Sequence, residues 1–139
     1  MVSDDAALRT LLAGNEGFLE ILPKNSIHLS LSTVSVAFSK DLEALHSARQ
    51  QGFVSSPVFG RPDAVVSGSL RLLCAGKPEH SRRVLPVLNA LGSRIFELGE
   101  DPSSANLVKL SGNFMIGSVL ESLSEAMTLV NYPAVNGGA

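Results

Sequence analysis

Residues 26–54 read SIHLSLSTVSVAFSKDLEALHSARQQGFV, and this stretch decides the fold class. Ser26-Ile27-His28-Leu29-Ser30-Leu31 alternates polar and apolar side chains at a period of two, the pattern of a strand. From Ser35 to Gln51 the period changes. Phe38, Leu42, Leu45 and Ala48 recur at spacings of three and four, which predicts an amphipathic helix stopped by Gly52. Phe53-Val54 then opens another short strand.

The same alternation continues downstream. A Pro- and Gly-bearing loop, Pro57-Val58-Phe59-Gly60-Arg61-Pro62, is followed by a largely apolar strand pattern over residues 70–75. Pro78 sits near the first position of a helix that runs to about Leu91, with Gly92 as its stop, and residues 94–98 alternate again before Gly99. Upstream, Asp4 and Asp5 cap a short helix over residues 6–12, and a helical turn from Phe18 ends at Pro23. Alternating strands and helices predict an α/β layered domain with at least a partly parallel sheet.

The last element differs in kind. Asp101-Pro102 is a cap followed by proline, and no further proline occurs before Tyr132, which predicts a helix to about Val130, nearly thirty residues and about 43 Å long. It is apolar on almost every side, so it calls for burial all round. Lys109, Asn113, Glu121 and Glu125 speak against lipid as the cover. Residues 132–139 read as a tail or linker.

Composition narrows the class. The 139 residues are 45% hydrophobic and 17% charged, with 11 Lys plus Arg against 13 Asp plus Glu. Net charge of −2, no basic run and few aromatics argue against a nucleic-acid partner. No apolar run approaches a membrane span of roughly 20 residues, and the acidic start Met1-Val2-Ser3-Asp4-Asp5 is unlike a signal peptide. One cysteine, Cys74, permits no internal disulfide and fits a reducing, cytoplasmic setting. Inside an apolar strand it reads as inert core. His28, His46 and His80 lack metal-ligand spacing and read as ordinary surface or strand histidines, so no metal is expected.

Three groups of residues could carry chemistry. Asn106, Lys109 and Asn113 recur at three and four, one stripe on a greasy helix. Lys109 there is either a desolvated proton relay with an amide beside it or a lysine snorkelling on the wet face. Ser56 to Arg61 offers a hydroxyl, backbone amides near Gly60 and a guanidinium, a set that grips a carboxylate or phosphate or else forms an exposed turn. Ser32-Thr33 after a strand either meets a ligand at the sheet's carboxyl edge or caps the following helix. No Gly-x-Gly-x-x-Gly or P-loop pattern is present.

Taken together, the runs Ile27 to Ser35, Ser56-Pro57-Val58-Phe59-Gly60-Arg61-Pro62, Gly68-Ser69-Leu70, Gly76, and Ala105-Asn106-Leu107-Val108-Lys109-Leu110 with Asn113-Phe114 resemble the β-hydroxyacid dehydrogenase family. That family includes 3-hydroxyisobutyrate dehydrogenase, tartronate semialdehyde and glyoxylate reductases, and 6-phosphogluconate dehydrogenase. The motifs stand in family order across nearly the whole chain. The resemblance implies an oxidoreductase that transfers a hydride between NAD or NADP and a small hydroxy acid or its aldehyde or keto form. It implies Lys109 as the catalytic lysine and Asn113 as a substrate-holding amide. Val58, Phe59, Gly60 and Arg61 fall in the substrate-gripping loop, and Ser32 and Thr33 lie near the nicotinamide.

Departures from the family pattern stand out in sequence and in extent. Phe59 replaces a common serine, Arg61 a second glycine, and Val36 a proline. The largest is one of extent: Met1 lines up near the end of the family's fourth strand. The expected architecture is therefore the second half of a Rossmann-type, doubly wound NAD(P)-binding domain over residues 1–100, a long connecting helix over 101–131, and the tail. A dinucleotide bridges both halves of such a fold, so this chain alone is expected to bind it weakly. The 105–130 helix is expected to bury itself against a second copy or a complementing polypeptide. The alternative is a non-catalytic truncated paralogue or an oligomerising module.

Overall fold

The computed structural model describes residues 1–14 and 16–131, and the chain separates into two units, Met1–Lys109 and the segment beginning at Leu110. The tail read at 132–139 lies outside the described residues.

In the first unit, helix α1 (Asp5–Leu12) starts as expected, with the Asp4 carboxylate accepting the Ala7 N–H at 2.8 Å. Its Leu8 and Leu12 join Leu19 of the short α2 (Phe18–Ile21) in a core with Val34, Phe38, Leu42 and Phe53. Strand β1 (Ile27–Ser30), helix α3 (Val36–Ala48) and strand β2 (Gly52–Ser55) form a parallel βαβ unit, with Ile27 opposite Gly52 and Ser30 opposite Ser55.

Two details of α3 correct the sequence reading. Its cap is Ser35, whose Oγ accepts the Phe38 N–H at 3.1 Å, so neither Ser32 nor Thr33 serves there. It also ends at Ala48, before Gly52. Gln50 takes a left-handed φ of 58° just after the C-cap Arg49, the conformation that closes a helix, and its carbonyl accepts the Asn25 N–H at 2.8 Å. Gly52 instead begins β2, where a Cβ would lie 2.8 Å from the His80 ring.

The stretch read as a loop at 57–62 contains strand β3 (Val58–Phe59), antiparallel to β4 (Leu70–Cys74), and the first residue of a short helix α4 (Pro62–Val66). Pro57 does not break the ladder because it contributes only its carbonyl, which accepts the Leu73 N–H at 3.0 Å. Ser55 and Ala75 exchange both backbone bonds, so β2 and β3 run continuously beside β4. Helix α5 (Pro78–Leu91) returns the chain to β5 (Gly92–Glu97), parallel to β4. Val84 and Leu88 of α5 pack on Val54, Leu72 and Cys74. The strands thus form a parallel pair, β1–β2, and a mixed three-stranded sheet, β3–β4–β5, joined by the Ser55–Ala75 bridge, and among the described residues β1 is an edge strand.

Helix α6 (Pro102–Val130) begins where Asp101 accepts the Ser103 N–H at 2.9 Å. Only Pro102, Ser103, Ala105 and Asn106 of it are buried. In the segment from Leu110 onward, Phe114 is 76% exposed and Met115, Val119 and Leu129 are also exposed, so the all-round burial read from sequence is not present in this chain. Among the described residues no helix is long and apolar enough to cross a membrane.

His28 is a strand histidine, in β1, whereas His46 lies in α3 and is no surface residue; both are buried and bonded to each other. Gln51 donates through Nε2 to the Leu19 and Leu22 carbonyls, at 3.1 and 2.6 Å, which turns its Oε1 toward His46 Nδ1 at 2.8 Å. His46 therefore donates from Nδ1, accepts at Nε2, and receives the Nδ1–H of His28 at 2.9 Å. Both rings are neutral in this arrangement. Burial, then the neighbouring His46 and the N-terminus, lower the His28 pKa from 6.5 to about 3, and burial lowers that of His46 despite Gln51, with Arg49 adding to the effect. A base whose folded pKa is depressed binds more protons when unfolded, so its stabilisation is complete above pH 6.5 and is lost as pH falls toward 3. We expect His28 alone to cost about 2 kcal/mol at pH 5 relative to pH 8. Urea midpoints across that range check it: a dependence equally steep in His28→Gln would remove His28 as its cause.

Candidate active site

The site is built on Asn106. Its side-chain amide is completely buried in the first unit, with Oδ1 accepting the Val34 N–H at 3.0 Å. Nδ2 donates to Ser55 Oγ at 2.7 Å and Ser39 Oγ at 3.4 Å. One amide thereby ties the start of α6 to the β1–α3 turn, to α3 and to β2. Ala105 beside it packs on Leu73 and Ala75. Asn106 is thus a lock between elements, neither a wet-face residue nor a member of an open polar stripe.

Lys109 follows one turn later and is half-buried. Its Nζ lies 4.0 Å from the centroid of the Phe59 ring, within cation–π range. Desolvation by burial lowers its pKa from the ordinary 10.5. Phe59 is held by β3, where it faces Arg71 of β4, and it packs with Phe96 and Leu98 against Leu73, Ala75 and Ala105. An amine on a locked backbone, against an aromatic wall and partly shielded from water, can exchange a proton with a bound hydroxyl.

The other loop residues diverge. Val58 packs into the core of Val54, Leu72 and Leu88, which leaves its backbone alone for a ligand. Gly60 and Arg61 are exposed, and Arg61 precedes α4 with its guanidinium in solvent. Asn113 is exposed and belongs to the second unit.

Ser32 and Thr33 follow β1 at the carboxyl edge of the parallel β1–β2 pair, the usual ligand edge of an open α/β sheet. Ser32 Oγ accepts the Val2 N–H at 2.8 Å, and Thr33 is half-buried. The hydroxyls of Ser30 and Ser56, at the same strand ends, are buried without a partner. This edge therefore has polar capacity to spare. The N-terminus of α3, by contrast, is taken: Asp5 accepts both the Ser35 N–H at 2.8 Å and its hydroxyl at 2.6 Å, and Asn106 holds the Val34 N–H. A pyrophosphate would meet the Asp5 carboxylate there. The edge can therefore hydrogen-bond a polar group but is unsuited to a phosphate.

Sequence reasoning missed the Asn106 lock, the histidine pair and the contact between Phe59 and Lys109. A buried amide looks in sequence like any polar residue. The one available signal was that Asn106 directly follows Ala105 and Ser104 in the most apolar helix of the chain.

Comparison with known proteins bears on the fold and the family. The family model described as the NAD binding domain of 6-phosphogluconate dehydrogenase matches residues 1–99. An uncharacterized oxidoreductase of Bacillus subtilis is 42% identical over 130 residues, covering 94% of this chain and 46% of that protein. Glyoxylate/succinic semialdehyde reductase 1 of Arabidopsis thaliana is 28% identical over 131 residues, covering 94% and 45%. The crystal structure of 3-hydroxyisobutyrate dehydrogenase from Salmonella typhimurium superposes with a TM-score of 0.85 at 23% identity, over 96% of this chain and 46% of that one. The chain spans about half the length of the curated relatives it matches.

Proposed function

The chain belongs to the family of the NAD binding domain of 6-phosphogluconate dehydrogenase, and from that premise we propose that it carries the acid–base half of a hydroxyacid dehydrogenase site. The substrate is a small hydroxy acid or its aldehyde or keto form, and the cofactor is NAD or NADP. The observation that carries this reading is Lys109, half-buried with a lowered pKa and standing on a helix that Asn106 ties to the strand end bearing Ser32 and Thr33.

Bound nicotinamide supplies the hydride acceptor or donor. In oxidation, Lys109 as the neutral amine takes the proton of the substrate hydroxyl while the carbon gives up its hydride and a carbonyl forms. In reduction, Lys109 as the ammonium returns that proton to the developing alkoxide. Asn113 orients the hydroxyl by hydrogen bonding, and Gly60 with Arg61 grips the substrate carboxylate. Ser32 and Thr33 hold the nicotinamide end. Because the α3 N-terminus is closed to phosphate, the chain alone binds the cofactor weakly. Exposed Phe114, Met115 and Val119 support a second copy or a complementing polypeptide over the helix.

The test is a graft of this chain in place of the matching 130 residues of the Bacillus subtilis relative. We expect NAD(P)H fluorescence to report tight binding by the graft and weak binding by the chain alone, and nicotinamide-dependent turnover of a panel of small hydroxy acids by the graft. Tight binding by the isolated chain, or a cofactor-loaded graft that turns over no member of the panel, would count against the proposal.

A further inference from the structure

We propose that Phe59 is a positioning residue for Lys109: its ring face holds the ammonium in one place without binding its proton as firmly as a carboxylate would. The inference rests on Lys109 being the acid–base group of the proposed reaction. Three observations carry it. The Lys109 Nζ lies 4.0 Å from the Phe59 centroid, well inside the roughly 6 Å limit of a cation–π contact. Both partners are anchored independently, Phe59 by its ladder position opposite Arg71 and Lys109 by the neighbouring Asn106 lock. And among the described residues no ion pair engages Lys109, whose ammonium lies over the ring instead.

The physical consequence follows from the kind of partner. A carboxylate at this distance would hold the proton firmly, since an opposite charge strongly favours the charged form. An aromatic face stabilises the ammonium only weakly, while the surrounding apolar wall works the other way. Phe59 itself packs with Phe96 and Leu98 on Leu73, Ala75 and Ala105, and burial is what lowers the Lys109 pKa. A flexible lysine stem with four rotatable bonds is thereby directed without an anion that would trap its proton. Phe59 is not itself a catalytic residue in this scheme, because it acts through Lys109.

Carbon and proton NMR on the isotopically labelled chain tests this without any turnover. The Lys109 Hε and Cε signals, assigned by their loss in Lys109→Arg, should be displaced upfield by the ring and should titrate below the ordinary lysine range. In Phe59→Tyr the displacement and the titration are both retained. In Phe59→Leu, which keeps apolar bulk but has no ring, the displacement is lost and the equilibrium moves about threefold toward the neutral amine. In Phe59→Ser, which admits water, the displacement is lost and the titration moves back toward the ordinary lysine range. A wild-type Lys109 with no upfield displacement overturns the proposal, and that measurement needs no variant to fold. So does a titration that is the same in Phe59→Leu as in wild type. The two readings fail separately: a Lys109→Ala graft that keeps its turnover removes the proposed reaction, whereas unchanged Lys109 signals in the Phe59 variants remove only the role of Phe59.

Discussion

Lys109→Ala in the grafted enzyme is expected to lower kcat by roughly 10²- to 10⁴-fold, the usual range for loss of a positioned general acid or base. Cofactor affinity should change little, because Lys109 is assigned to the substrate hydroxyl and not to the nicotinamide. Equal losses in kcat and kcat/KM would identify an interaction made in the transition state, while a change confined to KM would make Lys109 a simple binding residue. The pH profile supplies an independent readout. Oxidation needs the neutral amine, so its rate should rise with pH and level off above the Lys109 pKa, which burial holds below 10.5. Reduction needs the ammonium and should fall over the same interval. Lys109→Arg retains charge but gives up no proton at these pH values, so it should be nearly as inactive as Lys109→Ala. Turnover that survives either change, with the wild-type pH limb intact, would exclude Lys109 from the proton transfer.

The second large effect is on stability. Asn106→Leu keeps a side chain of similar volume yet strips the Val34 N–H and the Ser55 hydroxyl of their buried partner. Each stranded buried group costs about 1–3 kcal/mol, so a loss of roughly 2–6 kcal/mol is expected. Against a total stability of about 5–15 kcal/mol for a domain, that is a large fraction. Asn113→Ala is the control, since Asn113 is exposed and surface changes of this kind usually stay within about 0.5 kcal/mol. Urea unfolding of both variants measures the difference, and equal midpoints would show that the Asn106 amide holds nothing together.

Much of the fold was legible because its signals are local. A cap acts within one turn, as with Asp4 and Ala7 or Asp101 and Ser103, and a strand shows itself by alternation within six residues. The exceptions are also instructive. Gly52 looks in sequence like the stop of α3, yet Gln50 assumes the left-handed conformation and the space at Gly52 is filled by the His80 ring from α5. The β3 strand was invisible because its ladder partner, β4, lies across an intervening helix, and a proline at its start looks like a break until its carbonyl is seen to accept from Leu73.

The site divides along the same line. The sequence by itself determined that Lys109 and Asn113 stand four apart on a helix, that Ser32 and Thr33 follow a strand, and that the last helix carries more apolar surface than this chain can bury. Only the tertiary structure decided which polar groups are structural and which are free to act. Asn106 became a lock because Val34, Ser39 and Ser55 converge on it, His28 and His46 became a neutral pair because Gln51 dictates their tautomers, and Phe59 became the partner of Lys109 because β3 and α6 meet beside β4. The physical reason is range. Backbone periodicity and capping depend on neighbours within about a turn, whereas desolvation, tautomer choice and charge partnership depend on whichever distant side chains folding brings within a few ångströms.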